Sequence, residues 1–230
     1  MKMIVLSLAA TLSLGFAGCK KAEKPKEAPK PPQAQQQPAP KPTEPPKPNT
    51  PPIPAGTATG ALQAGKYAVD NGHSAVIFKA KHMGAGYTYA WFKEFDGSFT
   101  VDADPAKSSV ELTVKTESVD TRVPKRDNHL RSPDFFNAAQ FPTATFKSTK
   151  VEKAADGWNV TGDFTLRGKT KSVMAKVTPV GNGKNPMGKV LGGFEGKLTL
   201  NRNDFDVKFM PGALGDDVEL TLSLEGVLQQ

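Results

Sequence analysis

Long runs of alternating apolar and polar residues cover most of this chain after about residue 63. In the clearest run, polar residues separate Val218, Leu220, Leu222 and Leu224. Because successive side chains of a β-strand point to opposite faces, this period of two indicates strands with one buried face and one wet face. The pattern predicts an all-β domain.

Turn-forming pairs such as Asp-Gly, Asp-Pro and Arg-Gly separate these runs. They delimit eight predicted strands, at about 67–82, 92–102, 108–119, 143–153, 158–166, 170–180, 189–201 and 216–228. Many of these strands are long for a globular sheet. Long antiparallel strands in this number favour a closed eight-stranded barrel, which leaves no exposed edge. Such a barrel is filled by its own side chains or holds one small ligand.

One segment, residues 118–149, interrupts the alternation with a cluster of charges, three prolines and a Phe-Phe pair. Its spacing predicts one short helix inserted between two strands. On that helix, Asp127 and Arg131 lie four residues apart and are expected to form an ion pair. A catalytic acid–base cluster of His129 with Asp127 or Asp120 is the alternative. No nucleophile elbow of the G-x-S-x-G type accompanies it.

Histidines are scarce, and the chain has three: His73, His82 and His129. His73 and His82 are an odd number of residues apart on one predicted strand, so their side chains should point to opposite faces. No HExxH motif, cysteine–histidine cluster or calcium loop is present. We therefore expect no metal site and no cofactor.

The first residues resemble a bacterial lipoprotein signal. Lys2 precedes an apolar run at residues 4–14 that is too short to span a bilayer, and small residues then lead to Cys19. Cys19 is the only cysteine of the chain, which suits an attachment point for acyl chains. We expect a signal peptide at 1–18 and a lipid anchor on Cys19. The alternative is an ordinary secretory peptide cut after Ala17.

The region after the cysteine is rich in proline. Residues 20–60 hold thirteen of the chain's twenty prolines, with seven lysines and three glutamates. Nothing there can bury a core, so 19–62 is predicted to be a disordered, polyproline-biased tether, followed by the barrel domain at 63–230. Most of the net charge of +7 lies in this tether, beside the proposed anchor. This positive charge could contact anionic lipid headgroups, or the tether could be a soluble spacer. We expect no nucleic-acid partner.

Several motifs of the barrel region together resemble the YceI-like family, bacterial periplasmic proteins with a lipocalin-like barrel that bind polyisoprenoid lipids. The matching stretches include Phe95-Asp96-Gly97, Arg126-Asp127-Asn128-His129-Leu130, Asp134-Phe135-Phe136, residues 162–168 and residues 201–205. Two places depart from the family pattern. Residues 83–91 are richer in aromatic residues, and Asp206 stands where the family usually has Gly.

The resemblance turns an otherwise ordinary apolar stripe into a candidate cavity. The cavity residues it implies are Phe78, Phe99, Val110, Leu112, Phe146, Phe164, Phe194 and Leu198. Residues at the mouth of the barrel would meet a polar headgroup or gate the cavity: His82, Tyr87, Tyr89, Arg126, Phe135 and Phe136. The implied ligand is a polyisoprenoid-type lipid or isoprenoid quinone, carried without being chemically changed.

Two other functions stay open from the sequence: an envelope enzyme acting on a bound lipid, and a structural surface lipoprotein with a filled barrel. In each case we expect the protein in the cell envelope, on the periplasmic or surface side. Lys20 after Cys19 favours the outer membrane over the inner membrane. The sequence also allows a homodimer.

Overall fold

The structure, a computed structural model, describes residues 62–229. The predicted signal peptide, Cys19 and the tether up to residue 61 lie outside the described residues. The strands are β1 Gly65–Val69, β2 Ala75–His82, β3 Gly86–Phe92, β4 Phe95–Val101, β5 Ser109–Lys115, β6 Val119–Asp120, β7 Thr143–Ala154, β8 Gly157–Leu166, β9 Lys169–Lys184, β10 Val190–Asn201 and β11 Leu214–Leu228. One α-helix, α1 Pro124–Arg131, lies between β6 and β7.

The strands close into a barrel. The hydrogen-bonded order runs β1-β4-β5-β7-β8-β9-β10-β11, and β11 pairs again with β1. Neighbouring strands in this ring are antiparallel. Strands β2, β3 and β6 extend the sheet from the side of β11. The predicted antiparallel eight-stranded barrel is confirmed.

The first three barrel strands are each broken in two. A 3-10 turn at Asn71–His73 separates β1 from β2, a two-residue break separates β3 from β4, and a 3-10 turn at Thr116–Ser118 separates β5 from β6. The long strand β11 pairs with β2 through its first half and with β1 through its second half. The prediction of one continuous strand over 67–82 was therefore wrong, because Asp70 caps the 3-10 turn by accepting the N–H of Gly72 at 2.9 Å.

The second predicted strand also begins earlier than expected. The sequence pattern placed its start at residue 92, whereas β3 begins at Gly86 and pairs with β2 in the register Ala80↔Thr88. The alternation was hidden because aromatic residues occupy both faces of β3. Trp91 points outward under the guanidinium of Arg122, whereas Phe92 is buried inside.

One end of the barrel is filled by aromatic side chains, and we call it the closed end. It carries the β7–β8 and β9–β10 turns and the connection from β4 to β5. The ring of Tyr67 stacks on Phe99 at 4.7 Å, and Phe194 meets Phe99 edge-on at 5.0 Å. The Tyr67 hydroxyl donates to the carbonyl of Gln63 at 2.8 Å, and burial raises the pKa of Tyr67. A Cβ at Gly226 would lie 2.6 Å from the Phe99 ring, so the packing around Gly226 is tight.

The other end, which we call the open end, carries the β2–β3 and β8–β9 turns, residues 121–142 and residues 202–213. Among residues 62–229, β6 pairs with β3 and not with β7, so α1 and the residues after it occupy this side of the wall. Pro124 begins the helix at a position where its missing N–H costs nothing. No helix among residues 62–229 is long and apolar enough to cross a membrane.

The predicted ion pair between Asp127 and Arg131 does not form. Asp127 accepts hydrogen bonds from the backbone N–H and the hydroxyl of Thr121, and it is buried. Arg131 donates instead to the carbonyls of Glu117 at 2.7 Å and Val119 at 2.9 Å. These bonds satisfy the carbonyls of the turn between β5 and β6 and of β6 itself, and they hold α1 against this part of the wall. These charges of the helix therefore have a structural role.

Candidate functional site

An apolar cavity of about 440 Å³ occupies the open half of the barrel. Its walls come from β2, β3, β7, β8, β10 and β11, and α1 with the residues after it covers one side. The cavity reaches the surface, since the exposed residues His82, Val123, Lys125 and Arg126 are among those that line it. A volume of this size is within the range of small-molecule sites.

Small side chains on two neighbouring strands create the space. Ala80 on β2 lies opposite Thr88 on β3, and Ala90 lies opposite Phe78 in the same ladder. All four side chains line the cavity, because they share the inward parity of their strands. At the closed end the equivalent layer is filled by Tyr67 and aromatic neighbours. The hollow therefore follows from side-chain size at inward positions.

Three phenylalanines form the inner wall of the cavity. Phe136 enters from the segment after α1 and meets Phe78 edge-on at 5.8 Å and Phe92 at 5.5 Å. Phe78 and Phe92 are 5.5 Å apart by ring centroids. Aromatic pairs at these distances stabilise one another beyond simple burial of area. The wall is thus a packed surface against which a flexible apolar chain could lie.

Basic groups lie at the mouth. The Arg126 guanidinium donates through Nε to the hydroxyl of Thr121 at 2.9 Å and through Nη2 to its carbonyl at 3.0 Å. These bonds fix the guanidinium beside the cavity opening. Lys125 and His82 also line the opening and are exposed. The mouth can therefore meet a polar or anionic group while the interior meets apolar surface.

A second cluster holds the segment after α1 in place. His129 lies 2.8 Å from a carboxylate oxygen of Asp134, and its ring meets Phe135 and Phe209 edge-on, each at 4.9 Å. The guanidinium of Arg167 donates to the carbonyl of Pro133 at 2.8 Å and also to that of Phe135. These contacts join α1, the β8–β9 turn and the β10–β11 connection around one side of the mouth.

The catalytic alternative from the sequence required His129 beside Asp127 or Asp120. His129 has Asp134 as its carboxylate partner, whereas Asp127 is bound by Thr121. The side chain of Asp120 accepts the backbone N–H of Arg122 at 2.7 Å, and this bond, followed by the charge of a nearby lysine, lowers the pKa of Asp120. The structure does not assemble an acid–base cluster from these three residues.

A buried arginine organises the β10–β11 connection. Arg202 donates to the carbonyls of Val207 at 2.9 Å and Phe209 at 2.7 Å, and to the Asp216 carboxylate at 3.0 Å. Further bonds run to the carbonyls of Gly215 and Leu214. The same arginine lines the cavity. It therefore shapes the wall on this side by satisfying backbone groups that would otherwise be unpaired.

The eight predicted cavity residues all face the barrel interior, but they divide among three spaces. Phe78 and Phe164 line the large cavity. Leu112, Phe146 and Leu198 line a central void of about 50 Å³, which Phe164 also borders. Phe99, Val110 and Phe194 line a second void of about 50 Å³ toward the closed end. Their contact with a ligand stays a prediction.

Four of the six predicted mouth residues line the large cavity: His82, Arg126, Phe135 and Phe136. The placement of Tyr87 and Tyr89 at the mouth was wrong, because both lie on the outer face of β3, where 51% and 49% of their surfaces are exposed. The ammonium group of Lys79 lies over the Tyr87 ring, 4.6 Å from the ring centroid. Residues 86–92 form a strand, so their alternation turns these tyrosines away from the interior.

The contribution of the β10–β11 connection to the cavity was not predicted from the sequence. Phe205, Val207, Met210 and Leu214 line the cavity from it. The available signal was the number of apolar residues between Phe205 and Leu214 in a stretch without strand alternation. Such residues in a loop are expected to cover apolar surface elsewhere in the fold.

One group of described residues could share a metal ion: Asp70, His73 and Glu225, at the break between β1 and β2. His73 lies in the 3-10 turn and not on a strand, so the predicted strand position was wrong. Its Nδ1 lies 2.9 Å from a carboxylate oxygen of Asp70. This hydrogen bond lowers the pKa of Asp70 and raises the pKa of His73. The contacts explain the turn without an ion.

Comparison with known proteins places the barrel. Residues 67–226 match the YceI-like domain. The chain belongs to the YceI-like family. A UPF0312 protein of Pseudomonas aeruginosa is 43% identical over 173 residues, which are 74% of this chain and 91% of that protein. Protein YceI of Escherichia coli O157:H7 is 42% identical over 176 residues, 75% of this chain and 92% of its own length.

Solved structures share the YceI-like barrel. BcnA of Burkholderia cenocepacia superimposes with a TM-score of 0.63 at 28% identity, over 68% of this chain and 98% of BcnA. A polyisoprenoid-binding domain from Saccharophagus degradans superimposes with a TM-score of 0.53 at 14% identity, over 73% of this chain and all of that domain. The second likeness shows the shared fold alone.

Proposed function

We propose that this YceI-like protein binds a single apolar, chain-like lipid, an isoprenoid or isoprenoid quinone, in the open half of its barrel. The observation that carries the proposal is the apolar cavity of about 440 Å³ that opens at one end. Moving apolar surface from water into such a cavity stabilises the complex by about 0.8 kcal/mol per buried CH₂ group. The protein is a carrier in this proposal, and the lipid leaves chemically unchanged.

The geometry favours one orientation of the ligand. The apolar tail lies between Phe78 and Phe164, and the polar end lies at the mouth beside His82, Lys125 and Arg126. The opposite orientation would bury a polar group against phenylalanine rings without a hydrogen-bond partner, which costs about 2–7 kcal/mol. A structural neighbour of the same fold is a polyisoprenoid-binding domain, which supports this class of ligand.

The cellular setting belongs to the same proposal. Acylation of Cys19 would anchor the chain, and residues 19–62 would tether the barrel in the periplasm or on the surface side, with the outer membrane as the favoured location. A tether of about 40 residues in polyproline II conformation reaches roughly 120 Å when fully extended. That reach lets the barrel approach lipid in the membrane while it stays attached.

Native purification and extraction test the ligand. The full chain is purified without denaturation, and non-covalently bound molecules are extracted with organic solvent and identified by mass spectrometry. The proposal predicts one apolar single-chain molecule per protein. The variant Ala80→Phe adds a ring inside the cavity and should lose it, whereas Lys81→Phe adds the same ring on the exposed neighbouring position and should retain it.

Two results would overturn the proposal. Recovery of no apolar molecule from the wild-type chain, in extraction and in direct titration, would contradict lipid binding. Equal recovery from wild type and the folded Ala80→Phe variant would show that the molecule binds elsewhere.

A further inference from the structure

We propose that the open end of the barrel docks on an anionic lipid bilayer, with the mouth of the cavity facing the headgroups. This inference goes beyond the proposed function, because docking does not require a ligand inside the barrel. Three observations carry it. Exposed apolar side chains surround the mouth, basic side chains lie beside them, and the connections at the two ends of the barrel differ in charge.

The apolar side chains come from three different connections of the open end, and we call them the apolar rim. Met83 in the β2–β3 turn is 64% exposed, Val123 before α1 is 43% exposed, and Phe209 between β10 and β11 is 39% exposed. Val123 lines the cavity, and the other two directly follow or precede the lining residues His82 and Met210. Exposed apolar residues grouped around one opening mark a surface that a partner or a bilayer covers.

Basic side chains lie beside the apolar rim. Arg122 precedes Val123, Lys125 follows it by two residues, and Lys81 comes just before the β2–β3 turn, and all three cations are exposed. Within residues 62–229, neither Lys81 nor Lys125 takes part in an ion pair. An ammonium group without a carboxylate partner can bind a lipid phosphate, and each basic residue near an anionic membrane strengthens attachment by about fivefold.

The charges of the connections distinguish the two ends of the barrel. The connections of the open end carry seven basic and four acidic residues, whereas those of the closed end carry two basic and three acidic residues. The closed end also has an exposed apolar side chain, Met187 in the β9–β10 turn. Among the connections that could meet a flat surface, the positive excess therefore belongs to the open end. An anionic bilayer selects that end.

Two exposed tyrosines fit the same orientation. Tyr87 and Tyr89 lie on the outer face of β3, which begins at the open end with Gly86, so both rings lie close behind the apolar rim. Tyrosine is enriched at the headgroup level of membranes, because its ring is apolar and its hydroxyl is polar. Docking of the open end would bring Tyr87 to that level. The orientation gives a role to rings that the cavity does not use.

Charge argues against two other occupants of this surface. A second copy of the chain would bring its own basic open end against this one, and like charges weaken an interface. The proline-rich residues 20–60 hold seven lysines and three glutamates, so they carry the same sign as the open end. An anionic bilayer carries the opposite sign, and the proposed anchor on Cys19 would keep the barrel near one.

Two tryptophan reporters test the orientation. In the full chain, the native Trp91 and Trp158 are replaced by phenylalanine, and Cys19→Ser removes the acylation site. Either Met83→Trp or Met187→Trp then adds one reporter. Vesicles of phosphatidylcholine with about one third phosphatidylglycerol contain lipid brominated near the top of its acyl chains, which quenches tryptophan on contact. Met83→Trp should lose about half of its fluorescence or more, and Met187→Trp should lose less than about a tenth.

Charge variants of the Met83→Trp reporter test the contribution of the basic side chains. Lys125→Glu reverses one exposed cation at the mouth, so the lipid concentration for half-maximal quenching should rise at least about fivefold. Lys189→Glu makes the same change in the β9–β10 turn and should alter that concentration by less than about twofold. Vesicles of phosphatidylcholine alone should bind at least about fivefold more weakly than the anionic vesicles.

Hydrogen exchange of the wild-type full chain gives the same information without substitutions, and it decides the question if a reporter chain does not fold. With anionic vesicles, residues 83–85 and 121–126 should exchange at least about threefold more slowly. Residues 185–189 at the closed end should exchange at an unchanged rate.

The outcomes separate docking from ligand binding. Equal quenching of the two reporters, or slower exchange at both ends, would overturn docking through the open end. Equal effects of Lys125→Glu and Lys189→Glu would overturn the role of the basic side chains at the mouth. Failure of docking in a chain that still yields an apolar molecule on extraction would overturn this inference and leave the proposed function intact.

Discussion

The two ends of this barrel are built from the same strands and have opposite interiors. At the closed end, Tyr67 and Phe99 stack at 4.7 Å and leave no room for a Cβ at Gly226. At the open end, Ala80 and Ala90 hold inward positions and a cavity of about 440 Å³ remains. One end therefore supplies stability through dense packing, whereas the other end is packed less densely and keeps a cavity.

The backbone shows the same division. Non-glycine residues with φ between 47° and 63° occur, within residues 62–229, only in connections of the open end: Met83, Arg122, Asn137, Arg167, Asp206 and Met210. At the closed end, positive φ is taken by glycine, at Gly65, Gly157, Gly181 and Gly188, whereas the open-end connections combine these non-glycine residues with Gly84, Gly168 and Gly212. Left-handed backbone costs a residue with a Cβ more than it costs glycine. Strain of this kind is typical of functional sites.

Deleting a ring at each end should give the largest contrast. Phe99→Ala should lower the free energy of unfolding by about 3–5 kcal/mol, because a fully packed ring leaves a cavity behind. Phe78→Ala should cost less, about 1–2 kcal/mol, because that ring already borders open space. Denaturant unfolding measures both values, and farnesol titration should show weaker binding for Phe78→Ala alone. Equal destabilisation would contradict the contrast between the ends.

The strongest polar element of the open end is Arg202. Arg202→Met should destabilise the fold by about 2–3 kcal/mol, because several buried carbonyls lose their donor. Hydrogen exchange of residues 206–215 should accelerate at the same time. Lys208→Met removes an exposed cation from the same connection and should change stability by less than about 0.5 kcal/mol. If both substitutions cost the same, the network around Arg202 does not support the open end.

Glycine substitutions test the same contrast between the two ends, with smaller expected changes in stability. A Cβ at Gly226 would lie 2.6 Å from the Phe99 ring, so Gly226→Ala should destabilise by about 1–3 kcal/mol. Nothing lies within 4 Å of a Cβ at Gly86, where β3 begins at the open end. Gly86→Ala should be neutral within about 0.5 kcal/mol. Thermal unfolding of the two variants measures these changes. A neutral Gly226→Ala would contradict tight packing of the Phe99 ring against Gly226.

The smallest expected effect is a pH dependence at the open end. Hydrogen bonding to Lys208, followed by the charges of Lys208 and Lys169, lowers the pKa of Asp206 below its ordinary value of 3.8. A lowered folded-state pKa means that the carboxylate stabilises the fold above about pH 4 and that this contribution is lost as the pH falls through the folded-state pKa. Asp206→Asn should flatten the acid side of the stability profile slightly. An unchanged profile would contradict this role.

Period-two alternation was enough to predict the closed eight-stranded barrel, because burial of one face repeats along each strand. The breaks were not predictable in the same way: Asp70 and the 3-10 turn after it depend on a side-chain cap that alternation does not report. The outer position of Tyr87 was missed because aromatic residues on both faces conceal the period of β3. Period-two alternation predicts which side chains of a strand point inward, whereas local hydrogen bonds decide where the strand ends.

The candidate site was harder to predict than the fold. Phe78 and Phe99 both appear in the sequence as inward phenylalanines, yet one lines a cavity and the other fills the core. The difference lies in their neighbours: Phe78 faces Ala90 across the ladder, whereas Phe99 stacks on Tyr67. Free volume is a property of the three-dimensional neighbourhood, so the sequence gives the members of the interior and not the space between them.

Intermolecular contacts observed by methyl NMR report directly which half of the barrel holds a ligand. The full chain, labelled on leucine and valine methyl groups, is mixed with farnesol, and nuclear Overhauser contacts to the ligand are recorded. A ligand in the open half predicts contacts to Leu166, Leu200 and Val218 and none to Val101 or Leu228. Contacts to the closed-end methyls, or saturable binding with no contact to the open-end group, would contradict it.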